Sequence, residues 1–120
     1  MRSRKDLGKL GEDTAIRYLK DLSYQILVTN FRCKLGEIDI IAKDREVVVF
    51  IEVRTRTSGV FGPAYNSVTY PKQQQVKKVA LYYISENNLV NTQFRFDVIG
   101  IHLPEIRGEK PRIDHIQNAF

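Results

Sequence analysis

The segment from Gly36 to Arg56 reads GEIDIIAKDREVVVFIEVRTR, two runs of β-branched and aliphatic residues separated only by Lys43-Asp44-Arg45-Glu46. Such runs read as strands, Glu37 to Ala42 and Glu46 to Val53, and the polar interruption is short enough to be the turn of a hairpin. Side chains alternate along a strand, so the parity of the turn decides which residues share a face. With two or four residues in the loop, Ala42 lies opposite Val47, Asp39 opposite Phe50 and Glu37 opposite Glu52. One face then holds Ile38, Ile40, Ala42, Val47, Val49, Ile51 and Val53, with no polar member. The other carries Ile41, Val48 and Phe50 near the turn and gathers Glu37, Asp39, Glu52 and Arg54 at the open end. A three-residue loop would mix acids among the valines, at a cost on the order of several kcal/mol for each unpaired charge. The even register is the expectation.

In that register Glu37 and Glu52 face each other and Asp39 is a diagonal neighbour of Glu52, at roughly 7 to 8 Å between backbones. Carboxylates so placed repel unless a proton, a basic side chain or a cation compensates them. Spacing alone leaves two readings. The acids can point into water with Arg54 as a surface ion pair, or they are half of a site for a divalent cation of the Mg²⁺ or Mn²⁺ type, which favours oxygen ligands.

The rest of the chain supplies a frame for the hairpin. Leu7, Leu10, Thr14/Ala15, Tyr18 and Leu22 recur at helical spacing, and Tyr24 to Phe31 has strand character. Ser58 to Tyr70 is a loop with Gly59, Gly62 and Pro63 as breakers. Pro71 opens a second helix whose stripe is Val76, Val79, Ala80, Tyr83 and Ile84, ending at Glu86-Asn87-Asn88. Phe94 to Ile101 and a short Ile113 to Ile116 read as two further strands. The order is α-β-β-β-α-β-β, an α/β fold with a mixed central sheet of about five strands flanked by helices, in one domain spanning residues 1–120.

The chain has 120 residues, 42% of them hydrophobic, and a formal charge of +5. This balance, with an isoelectric point near 9.4, leans toward a polyanionic partner. A single cysteine, Cys33, excludes an internal disulfide and points to a reducing compartment, with the cytoplasm as default. The longest apolar run, Val47 to Ile51, is far short of the ~20 residues a membrane helix needs. Met1 to Asp6 lacks the apolar segment of a signal peptide.

The pattern GEIDIIA, a short gap, then VVFIEVRTR closely resembles the YraN-like family of small bacterial proteins, regarded as predicted endonucleases of the PD-(D/E)xK, restriction-endonuclease-like superfamily. The resemblance covers nearly the whole chain and extends to GKLGEDTAIRYL, Phe31-Arg32, VTYPKQQQVKKVALYYI and FDVIGI. It implies a restriction-endonuclease-like core and metal-dependent hydrolysis of phosphodiester bonds, similar to archaeal Holliday junction resolvases, with branched or damaged DNA as a substrate class. By this resemblance Asp39 and Glu52 bind Mg²⁺ or Mn²⁺ with the backbone carbonyl of Val53, and Glu12 joins from the first helix. Lys72 and Gln73 reach the site from the second helix.

Arg54 stands where the signature has lysine. Arginine stays protonated and can only donate hydrogen bonds and charge, so a nucleic-acid-binding module with weak or lost catalysis is the alternative. Arg4, Lys5, Lys9, Arg56, Lys77 and Lys78, with Arg2, Arg107, Lys110 and Arg112 around them, are the candidates for contacting a nucleic-acid backbone. Tyr65 and Asn66 in the loop are candidates for stacking. A homodimer is the assembly the resemblance suggests, because cutting two strands needs two sites. His102 and His115 lack ligand-like spacing, and Asp97 is expected to support the sheet edge or an arginine.

Overall fold

The computed structural model describes residues 3–57, 68–104, 106 and 108–120. The loop residues Tyr65 and Asn66, together with Arg2, Arg107 and the side chain of Arg4, lie outside that set. The element order is α1 (Arg4–Asp21), β1 (Gln25–Cys33), β2 (Gly36–Asp44), β3 (Val47–Thr57), α2 (Tyr70–Glu86), β4 (Gln93–Leu103) and β5 (Arg112–Ile116). The five strands form one sheet in sequence order. Every neighbouring pair is antiparallel except β3 and β4, which run parallel and are joined through α2. This is the mixed sheet and the order expected.

Each helix starts on a side-chain cap. The Ser3 hydroxyl accepts from the Asp6 amide at 3.1 Å while the Asp6 carboxylate accepts from the Ser3 amide at 3.4 Å, a reciprocal pair that satisfies two free donors. Thr69 accepts from the Lys72 amide at 3.4 Å, and Pro71 occupies the first turn of α2.

Both faces of the hairpin are buried. Ile40, Ala42, Val49, Ile51 and Val53 pack with Ala15 and Leu19 of α1 and with Ile99 and Ile101 of β4. Ile41, Val48 and Phe50 pack on the other side against Val76, Val79, Ala80 and Tyr83 of α2. The face that carries the acids is therefore solvent-facing nowhere near its turn, because α2 covers it there. Within α1 the buried side differs from the expected stripe. Leu10 and Leu22 are exposed, while Gly11, Ala15 and Leu19 are buried. Gly11 carries no apolar side chain, yet it marks the closest approach of the helix: a Cβ there would overlap Thr55 Oγ1 of β3. The helix is thereby turned so that Glu12, next to Gly11, is half-buried.

The hairpin register also differs from the expectation, by two residues. Asp44 pairs with Val47, Ala42 with Val49 and Ile40 with Ile51, so the turn is Arg45-Glu46 alone, with Arg45 at φ 57. A two-residue shift leaves parity intact, so Ile40, Ala42, Val49, Ile51 and Val53 still share a side, but Ile38, expected with them, packs under α2 because the alternation of β2 slips at Asp39. The opposition of Glu37 to Glu52 is lost: Glu37 pairs across to Arg32 of β1, whose Nε donates to it at 3.0 Å on the surface. Lys43 and Asp44 join the strands because Asp44 has a distant partner, Arg95 Nη1 at 3.1 Å.

Arg95 belongs to a polar chain that closes the other side of the sheet. Its Nε donates to Asp97 at 2.9 Å and its Nη2 to the Tyr24 hydroxyl at 2.7 Å. Asp97, fully buried, also accepts from His115 Nε2 at 2.8 Å and from the Asn118 amide at 3.1 Å. His115 Nδ1 meets the Tyr18 hydroxyl of α1 at 3.0 Å. Burial pushes the Asp97 carboxyl up, but the hydrogen bonds from His115, Arg95 and Asn118 outweigh it and hold the group below its ordinary value. Asp97→Ala leaves a buried guanidinium short of its main partner and is expected to lower stability by about 3–5 kcal/mol, read from urea unfolding.

Candidate functional site

The ladder between β2 and β3 stops at Ile40 and Ile51, although both strands continue. Beyond that point β2 stays paired with β1 through Gly36, and β3 stays paired with β4 through Thr57. The sheet therefore forks. At the crotch, Asp39 Oδ2 accepts from the Val53 amide at 2.8 Å, so a side chain replaces the strand carbonyl that the amide would otherwise find.

Glu52 sits beside this hydrogen bond and is only 2% exposed. Its Oε1 is buried and has no hydrogen-bond partner among the described residues. Burial first, then the charge and close contact of Asp39, push the Glu52 carboxyl up to about 8, while Lys72 and Arg54 pull it down in part. Glu12 approaches from α1, and its carboxyl is also raised, by burial and then by Asp39; the side-chain amide of Asn30 works in the opposite direction. Leu7, Gly8, Glu12, Asp39, Val53, Arg54 and Thr55 line a cavity of about 360 Å³ at the fork. A larger open cleft of about 730 Å³ lies at the turn end of the hairpin, beside Lys43, Glu46 and Asn87, and contains no paired carboxylates.

The fork brings together Glu12, Asp39, Glu52, Val53 and Arg54, and Lys72 acts on Glu52 from the start of α2. The Arg54 Nε is buried without a partner among the described residues. Lys72 Nζ donates to Gln75 Oε1 at 3.3 Å. Gln75 in turn lies over Gly36, where a Cβ would come within 2.8 Å of its side chain and where φ is 141. Gln73 is not brought in: its Nε2 donates to the Val68 carbonyl at 3.0 Å and secures the entry to α2.

The basic residues divide. Lys5 and Lys9 are exposed on α1, with Lys9 3.5 Å from Asp13, and Arg56 is half-buried on β3. Lys78 is exposed on α2, whereas Lys77 lines a separate apolar groove with Leu81, Ile84, Phe94 and Phe96. Among the described residues no group of three His, Cys, Asp or Glu side chains is placed to hold an ion together, so Glu12 does not complete a three-carboxylate set with Asp39 and Glu52 in this arrangement. An ion at the fork would rest on two carboxylates, a backbone carbonyl and water, as Mg²⁺ commonly does.

A match to the model of the uncharacterised protein family UPF0102 spans residues 11–101 and so includes Glu12, Asp39, Glu52, Val53, Arg54 and Lys72. The chain belongs to the UPF0102 family. A UPF0102 protein of Geobacter metallireducens is 47% identical over 116 residues, covering 97% of this chain and 93% of the relative. UPF0102 proteins of Caldicellulosiruptor saccharolyticus and Clostridioides difficile are 42% and 45% identical over 118 residues, each covering 98% of this chain and 99% of the relative. Two residues of this UPF0102 site escape a reading of the sequence. Gly11 is silent in an apolar pattern, and Asn30 reads as an ordinary polar strand residue, although asparagine is the non-glycine residue that best tolerates a left-handed backbone.

The raised Glu52 carboxyl has a consequence for the protein in EDTA. Below its ordinary value of 4.5 the group is protonated in folded and unfolded chains alike and costs nothing. As pH rises from there to about 8 the unfolded chain ionises while the folded chain holds the proton, so stability is withdrawn, and above about 8 the loss is complete. At ~1.4 kcal/mol per tenfold change in proton affinity this is on the order of 5 kcal/mol. Thermal melts are expected to fall between about pH 5 and about pH 8.5, and Glu52→Gln to flatten that slope.

Proposed function

We propose that this protein is a metal-dependent DNA endonuclease that hydrolyses phosphodiester bonds with Mg²⁺ or Mn²⁺. The observation that carries the reading is the buried Glu52 carboxyl held against Asp39, with one oxygen unpartnered among the described residues. An uncompensated carboxylate pair calls for a proton or a cation, and hard oxygen donors suit these two ions. Asp39, Glu52 and the Val53 carbonyl would hold the ion, with Glu12 joining directly or through water.

When bound, the ion supplies Lewis acidity toward a phosphate and a water of lowered pKa. The side chains do the rest. Asp39 spends Oδ2 on the Val53 amide, which fixes the carboxylate and leaves Oδ1 as its donor. Arg54, permanently charged, offers its unpartnered Nε to a phosphate oxygen and cannot act as the base. Lys72, tethered by Gln75, adds positive charge beside Glu52 where the pentavalent phosphorus accumulates negative charge. Lys5, Lys9, Arg56 and Lys78 supply further contacts to the DNA backbone. Branched or damaged DNA is the substrate class suggested by the likeness to junction resolvases, with a homodimer for cutting two strands and the cytoplasm as the place of work.

A second reading, a DNA-binding module without cleavage, is favoured by one feature, arginine rather than lysine at position 54. Nicked, flapped and four-way DNA separate the two. Cutting is expected with Mg²⁺ or Mn²⁺ and not in EDTA, and Asp39→Ala or Glu52→Ala should each cost on the order of 100-fold or more in rate. DNA affinity should fall steeply with added salt. Binding without cutting, with cleavage gained on Arg54→Lys, establishes the second reading. Cutting that survives both alanine substitutions, or no binding at low salt, removes the nuclease.

A further inference from the structure

Asn30 lies in the middle of β1, yet its φ is 52, a left-handed backbone inside a strand. Its neighbours Thr29 and Phe31 pair with Ile40 and Ile38, so Asn30 stands across from Asp39. Such a backbone is uncommon outside turns and is retained where the surrounding structure fixes it.

Its effect is visible in which way the flanking side chains face. On β2, Ile38 and Ile41 pack under α2 while Ile40 and Ala42 pack under α1, so the alternation slips by one residue at Asp39. On β1, Val28 and Phe31, three residues apart, both pack under α2, so the slip occurs there too, at Asn30. The two strands turn over together, without a change of register, at the one pair Asn30 and Asp39. This is also where β2 leaves β3. Glu12 of α1 lines the same cavity as Asp39, and the side-chain amide of Asn30 is near enough to it to favour its charged form.

We propose that Asn30 is a positioning residue of the site: its left-handed backbone turns Asp39 into the fork, and its amide holds the Glu12 carboxylate beside it. The role rests on the metal-dependent reading given above. Asparagine meets both demands, because it tolerates the backbone and carries a donor on a short side chain. Glycine would keep the backbone and lose the donor, and alanine would lose both.

The test measures Mn²⁺ binding to the full chain by calorimetry, with thermal melts alongside. Asn30→Gly is expected to melt near the unaltered protein and to bind Mn²⁺ about tenfold more weakly, the scale on which residues behind metal ligands act. Asn30→Ala should lose at least as much affinity and also melt lower. In a Glu12→Gln background, Asn30→Gly should change affinity by less than about twofold, because the carboxylate it positions is gone. Tight Mn²⁺ binding by Asn30→Gly, or an equal loss with and without Glu12, overturns the role of Asn30 and leaves the metal reading intact. Failure of the unaltered protein to bind Mn²⁺, or undiminished binding by Asp39→Ala, overturns the metal reading and this role with it.

Discussion

The hydrogen bond from the Val53 amide to Asp39 Oδ2, 2.8 Å long, is the constraint around which the site is arranged. Two antiparallel strands would ordinarily continue their ladder, and the amide of Val53 would find a backbone carbonyl on β2. Here a carboxylate takes that place. The strands can then part without leaving a buried donor unpaired, and the opening between them admits Glu12 from one helix and the influence of Lys72 from the other. The same bond holds Asp39 against Glu52, which is why Glu52 is left with an oxygen that none of the described residues satisfies.

A fork of this kind weakens the centre of a sheet, and the rest of the structure offsets it. β3 keeps its full length of parallel pairing with β4, from Val47 to Thr57. Apolar layers cover both faces, one beneath α1 and one beneath α2. The chain of Tyr18, His115, Asp97, Arg95, Asp44 and Tyr24 ties α1, β2, β4 and the strand at the far edge into one unit. Its polar groups are mutually satisfied, in contrast to those at the fork.

Parity is what made the hairpin legible. A turn of two residues or four preserves the two faces, so the grouping of Asp39 with Glu52 survives an error of two residues in register. That error came from Lys43 and Asp44, whose polarity reads as turn; Asp44 is a strand residue because Arg95, 51 positions away, neutralises it, and no local pattern carries that information. The tilt of α1 was illegible for a related reason. Its closest contact is made by Gly11, which has no side chain to register in an apolar stripe. Gln73 and Lys72 are adjacent in sequence and equally polar, and only the path of the chain before α2 sends one to Val68 and the other toward Glu52. The backbone of Asn30 left no trace at all, since left-handed geometry in a strand is a property of the assembled sheet.

The two-residue turn at Arg45-Glu46 bears on how the molecule comes together. Contacts close in sequence form before those that must enclose a long stretch of chain, and this hairpin, like that of β1 and β2, closes over a two-residue turn, whereas β3 meets β4 only after the whole of α2 has been laid down. Asp39 and Glu52 are thus brought side by side early, in a partly folded chain still open to water, where their repulsion is screened. Desolvation arrives last, as the helices close over them, so the electrostatic burden of the site falls on the final steps of folding and not on its nucleus.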